Sequence, residues 1–497
     1  MIPTRQIALA LAILSTTGKV AAQAVKAARN PLDGIDRYIT ATMPDWGVPG
    51  VAIAVVKNDR VVYAKGFGVR RLGDTARVTP ETMFAIGSIS KSFTAASVGI
   101  LVDEGKVAWS DPVIRRMPGF AMLTPEATAS TSIEDLLSHR TGLAGENVVF
   151  WGSDVPRAEV VRRIRFLPLA YPARTTFDYQ NLAFVAAGEV VATVTGTPWD
   201  DFVERRIFRP LGMTRSTTRV SDLGKFQNVA TSHAPRNGKV APIPFLNLDN
   251  AAPAGSIVSS VNDMARYARM QLGGGKLEGS RVLSDSTIRQ LHTGRTIVPV
   301  GSALGPAFPD AHFIEYGLGW FLQDYHGYQI VSHGGQTDGQ HANLLLVPEL
   351  GLGVVVLTNT LQFGYPIAIT LSVLDSYLGR PARDWSKEMQ VRLAAFNENP
   401  PPLPAEIAGK SAKIAASMLV GRYRDDYLGE AVVSQEGQQF SIAMLGRKAT
   451  LMHWRDEQYT VHWDDPLLLG SLPTATFESS GNGVSLRVGR WVLRRQP

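Results

Sequence analysis

The stretch Phe84-Ala85-Ile86-Gly87-Ser88-Ile89-Ser90-Lys91-Ser92-Phe93 decides how the chain is read. An apolar run meets a glycine and passes into Thr94-Ala95-Ala96-Ser97-Val98-Gly99-Ile100-Leu101, which predicts a buried helix. Ser88 falls near the N-terminus of that helix, where unpaired backbone N–H groups and the helix dipole favour developing negative charge. Lys91 follows three residues later, so the two side chains share a face. A serine and a lysine so placed can act as nucleophile and proton acceptor in acyl transfer. The lysine must then be partly neutral. Bringing it from a pKa near 10.4 to about 7 takes roughly 4–5 kcal/mol, which apolar burial and a polar partner can supply. A plain helix start with a snorkelling lysine has the same spacing, and the spacing alone recurs by chance in long chains.

The chain has 497 residues, 45% hydrophobic and 19% charged, enough for two or three domains. Its net charge of +6 is dispersed, without a Lys/Arg run or an aromatic-basic stripe, which argues against a nucleic-acid partner. Cysteine is absent, so disulfides, thiolate metal sites, cysteine catalysis and lipid attachment are excluded. The nine histidines show no metal-ligand spacing, and no metal or cofactor is expected. Arg5, the apolar run Ile7-Ala8-Leu9-Ala10-Leu11-Ala12-Ile13-Leu14 and Ala22-Gln23-Ala24 read as an export signal over residues 1–24. The expected location is periplasmic or secreted. The run is too short to span a bilayer, so no transmembrane segment is expected after its removal.

Outward from Ser88 the pattern is mixed. A hairpin over 51–56 and 61–64 precedes it, and helical segments fall at 31–43, 133–137, 158–165, 182–194, 199–207 and from Asn262. Near Tyr316 the pattern turns to strands, at 318–323, 328–332, 342–347 and 353–357, before a helix at 367–378. These elements predict one α/β (α+β) unit over residues 25–382, its antiparallel sheet joining both ends of the unit. Asn397-Glu398-Asn399-Pro400-Pro401-Pro402-Leu403-Pro404 marks a stiff linker, placed at 383–412. Residues 413–497 read as short, evenly spaced strands of a small closed or nearly closed β-barrel.

Two further stretches give weight to Ser88. Asp178-Tyr179-Gln180-Asn181 lies at a helix start, offering a phenol for proton transfer and an amide for substrate binding. Val331-Ser332-His333-Gly334-Gly335-Gln336 ends a strand with two glycines that let a substrate lie close to the strand edge. His139 reads as a brace for its loop, and Gly273-Gly274-Gly275-Lys276 as a turn rather than a phosphate loop. There is no Gly-x-Ser-x-Gly elbow, which argues against an α/β-hydrolase.

In this order and spacing, Ser88-Ile89-Ser90-Lys91, Tyr179-Gln180-Asn181 and His333-Gly334-Gly335 resemble the serine β-lactamase and penicillin-binding-protein superfamily. The resemblance covers about residues 35 to 380 and is strongest to its class C-type esterase and D-peptidase branch. Leu136-Leu137-Ser138-His139-Arg140-Thr141-Gly142-Leu143 and Pro253-Ala254-Gly255-Ser256 support it. It implies a transpeptidase-like fold of an antiparallel sheet flanked by helices, with an all-helical region. By resemblance Ser88 would be acylated, Lys91 would accept its proton, and Tyr179 would share that transfer and protonate the leaving group. Asn181, His333, Gly334 and Gly335 would bind substrate, and the N–H groups of Ser88 and Gln336 would form the oxyanion hole. Gln180 and His-Gly-Gly depart from the commoner motifs and argue against β-lactams as the preferred substrates. Some members carry a lipocalin-like barrel after the hydrolase domain, as the terminal strands imply. The resemblance implies hydrolysis of a small ester or peptide, including peptides with D-residues, and leaves homo-oligomerisation open. Its alternatives are a β-lactamase or D-alanyl-D-alanine carboxypeptidase, and a sensor or binding protein that is acylated without turnover.

Overall fold

A strand that is apolar along nearly its whole length needs cover on both faces, and Gly50–Lys57 (β1), buried at every position before Lys57, has it. The structure is a computed structural model and describes residues 30–236, 238–301, 305–397, 413–464, 472, 474–480 and 483–497. Helix α1 (Ile35–Thr42) precedes β1, and β2 (Arg60–Gly68) returns beside it through a turn with positive φ at Asn58 and Asp59. Along β1, Ala52, Ala54 and Val56 enter one core and Val51, Ile53 and Val55 a second. That alternation is the period of two expected of a strand.

The first core holds α2 (Ser90–Asp103), α3 (Asn181–Thr195) and α4 (Val261–Leu272), through Phe93, Phe184 and Tyr267 among others. Six strands follow: β3 (Thr296–Val298), β4 (Ile314–Tyr316), β5 (Phe321–Tyr325), β6 (Tyr328–Thr337), β7 (Gln340–Val347) and β8 (Leu352–Thr358). The eight-stranded sheet has the order β3-β4-β5-β6-β7-β8-β1-β2 and is antiparallel throughout. Early hairpin and late strands therefore meet where β1 pairs with β8, as the sequence pattern implies. The second core lies under α1, α5 (Gly364–Tyr377) and α6 (Trp385–Asn397).

Helix α6 corrects the expected linker over 383–412. Trp385 and Met389 are fully buried, with Leu393 packed beside their core, and Trp46 Nε1 donates to Ser386 Oγ at 2.8 Å. The spacing of four between those apolar residues places them on one helix face. That signal was outweighed by the prolines that follow. The rest of the expected linker, 398–412, and the expected export signal, 1–24, lie outside the described residues. Among the described residues no single helix is long and apolar enough to cross a membrane.

The C-terminal strands close into a barrel: β9 (Gly421–Asp425), β10 (Gly429–Glu436), β11 (Gln439–Met444), β12 (Arg447–Arg455), β13 (Gln458–Trp463), β14 (Thr474–Ser480), β15 (Gly483–Val488) and β16 (Trp491–Arg495). The closing pair sets Tyr423 opposite Arg495. Buried Tyr423, Ile442, Leu451, Tyr459, Phe477 and Leu486 pack among its core. The barrel also touches the helical region, where Arg163 Nη1 donates to Tyr427 O at 2.9 Å and Arg447 Nε to Gly152 O at 3.1 Å. Leu428 and Leu445 are buried in the core that holds Val148 and Phe150.

Candidate active site

The site begins with a backbone that only glycine permits. The chain reaches Ser88 through Gly87 at φ +50°, inside a short 3₁₀ turn, Gly87–Ile89, that leads straight into α2. A Cβ on Gly87 would lie 2.4 Å from Gln336 N, and one on Gly335 would lie 1.8 Å from Ile86 O. Strand β6 therefore runs against the turn at a distance that no side chain could share. This brings the backbone at Ser88 and the backbone at Gln336 together. Ser90 Oγ accepts from Ile257 N at 3.1 Å and Thr94 donates to Pro253 O at 2.7 Å, tying α2 to the segment before α4. Ser88 itself stays half-buried and open to the cleft.

Lys91 is fully buried. Its Nζ lies 3.0 Å from Ser88 Oγ, 2.6 Å from Asn181 Oδ1 and 2.8 Å from Ala254 O. All three partners are neutral, and burial holds the amine well below the usual lysine range. A neutral amine has two N–H donors and one lone pair. The amide oxygens of Asn181 and Ala254 can only accept, so they take the two donors. The lone pair is left facing the Ser88 hydroxyl.

Tyr179 completes this corner from the residue pair before α3. Its ring centroid is 4.7 Å from Lys91 Nζ, and its phenol lies close to the Ser88 hydroxyl. Burial pushes the phenol pKa up, so Tyr179 keeps its proton; the Ser88 contact opposes that shift. The Tyr179 loop is held from behind. His139 Nδ1 accepts from Gln180 N at 2.8 Å, Gln180 Nε2 donates to Leu143 O, and the His139 ring packs 4.3 Å from the Tyr179 ring and 4.5 Å from that of Tyr316. His139 thus braces its loop as its sequence context implies, at φ +56°.

Across the cleft His333 is buried, with Nε2 3.0 Å from Tyr316 Oη and Nδ1 2.6 Å from Gly334 O. Burial, and then the nearby Lys91, press it down to about 3, so it carries no charge near neutrality. Asn181 is less open to a substrate than its motif suggests. Oδ1 is taken by Lys91 and Nδ2 donates to Asn147 Oδ1 at 2.8 Å. Asn147, Tyr316 and the carbonyl of Ala254 were not singled out for the site in the sequence. Asn147 stands in a loop with no motif, Tyr316 reads as an ordinary strand residue, and a carbonyl leaves no side-chain signal. Among the described residues, no group of three or more His, Asp or Glu is placed to hold a metal ion.

The buried imidazoles set a pH dependence of stability. His139, His333 and His341 are each at most 2% exposed, and burial lowers all three, the last two to about 3. The unfolded chain takes these protons below about pH 6.5 while the folded chain refuses them, so stability falls as pH falls. Each contributes a loss of about 1.4 kcal/mol per pH unit in that window. Urea unfolding at pH 7.5 and pH 5.5 should show this, and His341→Gln should remove one histidine's share of the difference.

The beta-lactamase family model matches residues 35–372. The chain is 32% identical over 406 residues to the unguisins hydrolase ungD of Aspergillus violaceofuscus (strain CBS 115571), covering 74% of this chain and 70% of that protein. It is 32% identical over 320 residues to penicillin-binding protein 4 of Amycolatopsis lactamdurans, covering 63% of this chain and 81% of that one. In fold it is similar to the octameric penicillin-binding protein homologue from Pyrococcus abyssi, with a TM-score of 0.62 at 24% identity over 92% of this chain and 98% of the other. A sheet flanked by helices, the Ser88 turn pressed against a glycine strand edge, and these relatives agree: the chain belongs to the beta-lactamase family and is a hydrolase of that family.

Proposed function

We propose that the protein is a serine hydrolase acting on ester or amide bonds through an acyl-enzyme on Ser88, with peptides containing D-residues among its candidate substrates. The observation that carries this reading is the hydrogen-bond set of Lys91, which leaves its lone pair only the Ser88 hydroxyl to meet. Lys91 takes the proton as Ser88 Oγ bonds to the acyl carbon. The developing oxyanion faces the N–H groups of Ser88 and Gln336, a donor of this kind being worth roughly 3–4 kcal/mol. Collapse breaks the bond to the departing alcohol or amine, which takes the Tyr179 proton, and the Lys91 ammonium restores it. The net result is that the serine proton leaves with the departing group. Water repeats the sequence on the acyl-enzyme. The Arg5 and apolar-run signature supports export as part of the same proposal.

The likeness to a penicillin-binding protein favours a second reading, in which β-lactams acylate Ser88. The third motif opposes it. His333 is buried and neutral and Gly334 has no hydroxyl, so two charge-assisted or polar contacts to an anionic substrate are missing. At about 1.5–3 kcal/mol each, their loss weakens recognition roughly a hundredfold or more. We expect kcat/KM for a small ester or a D-aminoacyl amide to exceed that for a chromogenic cephalosporin on the same preparation. A cephalosporin preferred over both would move the assignment to a β-lactamase.

A further inference from the structure

A pocket of about 180 Å³ opens directly beside the nucleophile. Ser88, Tyr179 and His333 line it at the cleft, and Phe308, Phe321, Ile367 and Leu371 line it toward α5. Gly334 also lines it, and a Cβ there would meet only Ala342 O, at 3.8 Å, so the missing side chain leaves the entrance wide. An engineered apolar cavity of about 150 Å³ holds benzene. The space here therefore suits one six-membered ring or a branched chain of that bulk, with room for a small polar end.

Two polar atoms in the lining have no partner. Gln323 Oε1 and His341 Nδ1 are both buried and unbonded. The remaining polar side chains in the lining near them are committed elsewhere, Asn343 Nδ2 donating to Thr370 Oγ1 at 3.1 Å and Thr370 Oγ1 to Pro366 O at 2.7 Å. No charged side chain lines the pocket, and burial keeps both its histidines neutral. An anion or cation entering it would lose hydration without a counter-charge. An uncharged apolar group with a hydrogen-bonding tip meets both requirements.

The pocket's position identifies which half of the substrate enters. Tyr179 lines it together with Ser88, whereas Asn181 and Asn147 do not. The group that receives the Tyr179 proton is the departing one, so it must sit against that phenol. We infer that this pocket holds the leaving group of the substrate, an uncharged, ring-sized apolar alcohol or amine portion. The inference rests on the Ser88 acyl-enzyme reading proposed above.

Methyl acetate and benzyl acetate test it. Their alcohols have nearly equal acidity and both give the same acetyl-enzyme, so a difference in kcat/KM reports the leaving-group site alone. Each buried methylene is worth about a factor of four, and partial burial of the ring should favour benzyl acetate by about 30-fold or more. Ile367→Trp, which fills the pocket, should bring that ratio below about 3. Ile367→Ala, which enlarges it, should instead raise 1-naphthylmethyl acetate relative to benzyl acetate, and each variant is compared only if its melting curve remains cooperative. Ratios unmoved in both variants would overturn the proposal. So would an Ile367→Trp penalty that follows the acyl chain, seen as a larger loss for methyl hexanoate than for methyl acetate. Fluorophosphonate labelling of the wild type separates the two ideas. An active enzyme not labelled at Ser88 contradicts the acyl-enzyme reading, whereas Ser88 labelling with unmoved ratios contradicts the pocket alone.

Discussion

Ser88→Ala is expected to lower turnover by about 10³–10⁶-fold while the protein still folds. On the proposed acyl-enzyme route, the loss follows from removing the hydroxyl that bonds to the substrate's acyl carbon beside the Lys91 lone pair. The fold should survive because what shapes this turn is backbone. Gly87 and Gly335 set the approach of β6, and Ser88 is only half-buried. Lys91 keeps Asn181 and Ala254 as partners in the variant. Residual rate above water would come from the N–H groups of Ser88 and Gln336 and from binding. Steady-state hydrolysis of a small ester, with a melting curve on the same sample, checks both halves.

Lys91→Met should have the second largest effect, a loss of about 10²–10⁴-fold of the kind expected when a positioned base is removed. It should also change the pH profile in a defined direction. On the proposed route the wild type uses the neutral amine, so its rate should rise with pH through the folded pKa of the coupled Lys91–Tyr179 pair and then level off. His333, held to about 3, lies too low to account for a limb near neutrality. In Lys91→Met that limb should disappear. Stability responds as well. Below about pH 10.5 the unfolded lysine binds a proton that the folded one resists, so wild-type stability increases with pH over that window. Lys91→Met should flatten this slope, at the cost of leaving the Asn181 and Ala254 oxygens without their buried donor. A variant that kept the wild-type acid limb would remove Lys91 from the proton path.

Much of the architecture was legible because its signals are local. Strand β1 reads from one apolar run, α2 from small and apolar residues after Gly87, and the Ser88–Lys91 spacing from a single helical turn. The barrel was read from strands such as Phe440-Ser441-Ile442-Ala443-Met444, where apolar residues dominate. Strands β9, β12 and β16 are harder to read, because Arg422, Arg424, Lys448, Arg494 and Arg495 interrupt their apolar pattern. In the closed barrel Arg422, Arg424, Lys448 and Arg494 are exposed while Tyr423, Leu451 and Leu493 are buried. Helix α6 was missed for a different reason. Its apolar residues at 385, 389 and 393 match a helix face, but the prolines after 399 suggested a linker for the whole stretch.

The site divides along the same line. Ser88, Lys91, Tyr179, Asn181 and the His333–Gln336 strand converge as their motifs imply, from elements far apart in sequence. What surrounds them was not readable. The commitment of both Asn181 polar atoms to Lys91 and Asn147, and the placing of Tyr316 between His139 and His333, depend on packing between segments rather than on any one segment. The neutral state of His333 follows from burial, which a sequence does not display.

Intact-protein and peptide mass spectrometry after brief exposure to a slowly hydrolysed ester or a fluorophosphonate tests the central claim most directly. One adduct per chain, mapped to Ser88 and absent in Ser88→Ala, is the result expected. An adduct on another serine, or steady turnover with Ser88 unmodified by either reagent, would contradict the acyl-enzyme account.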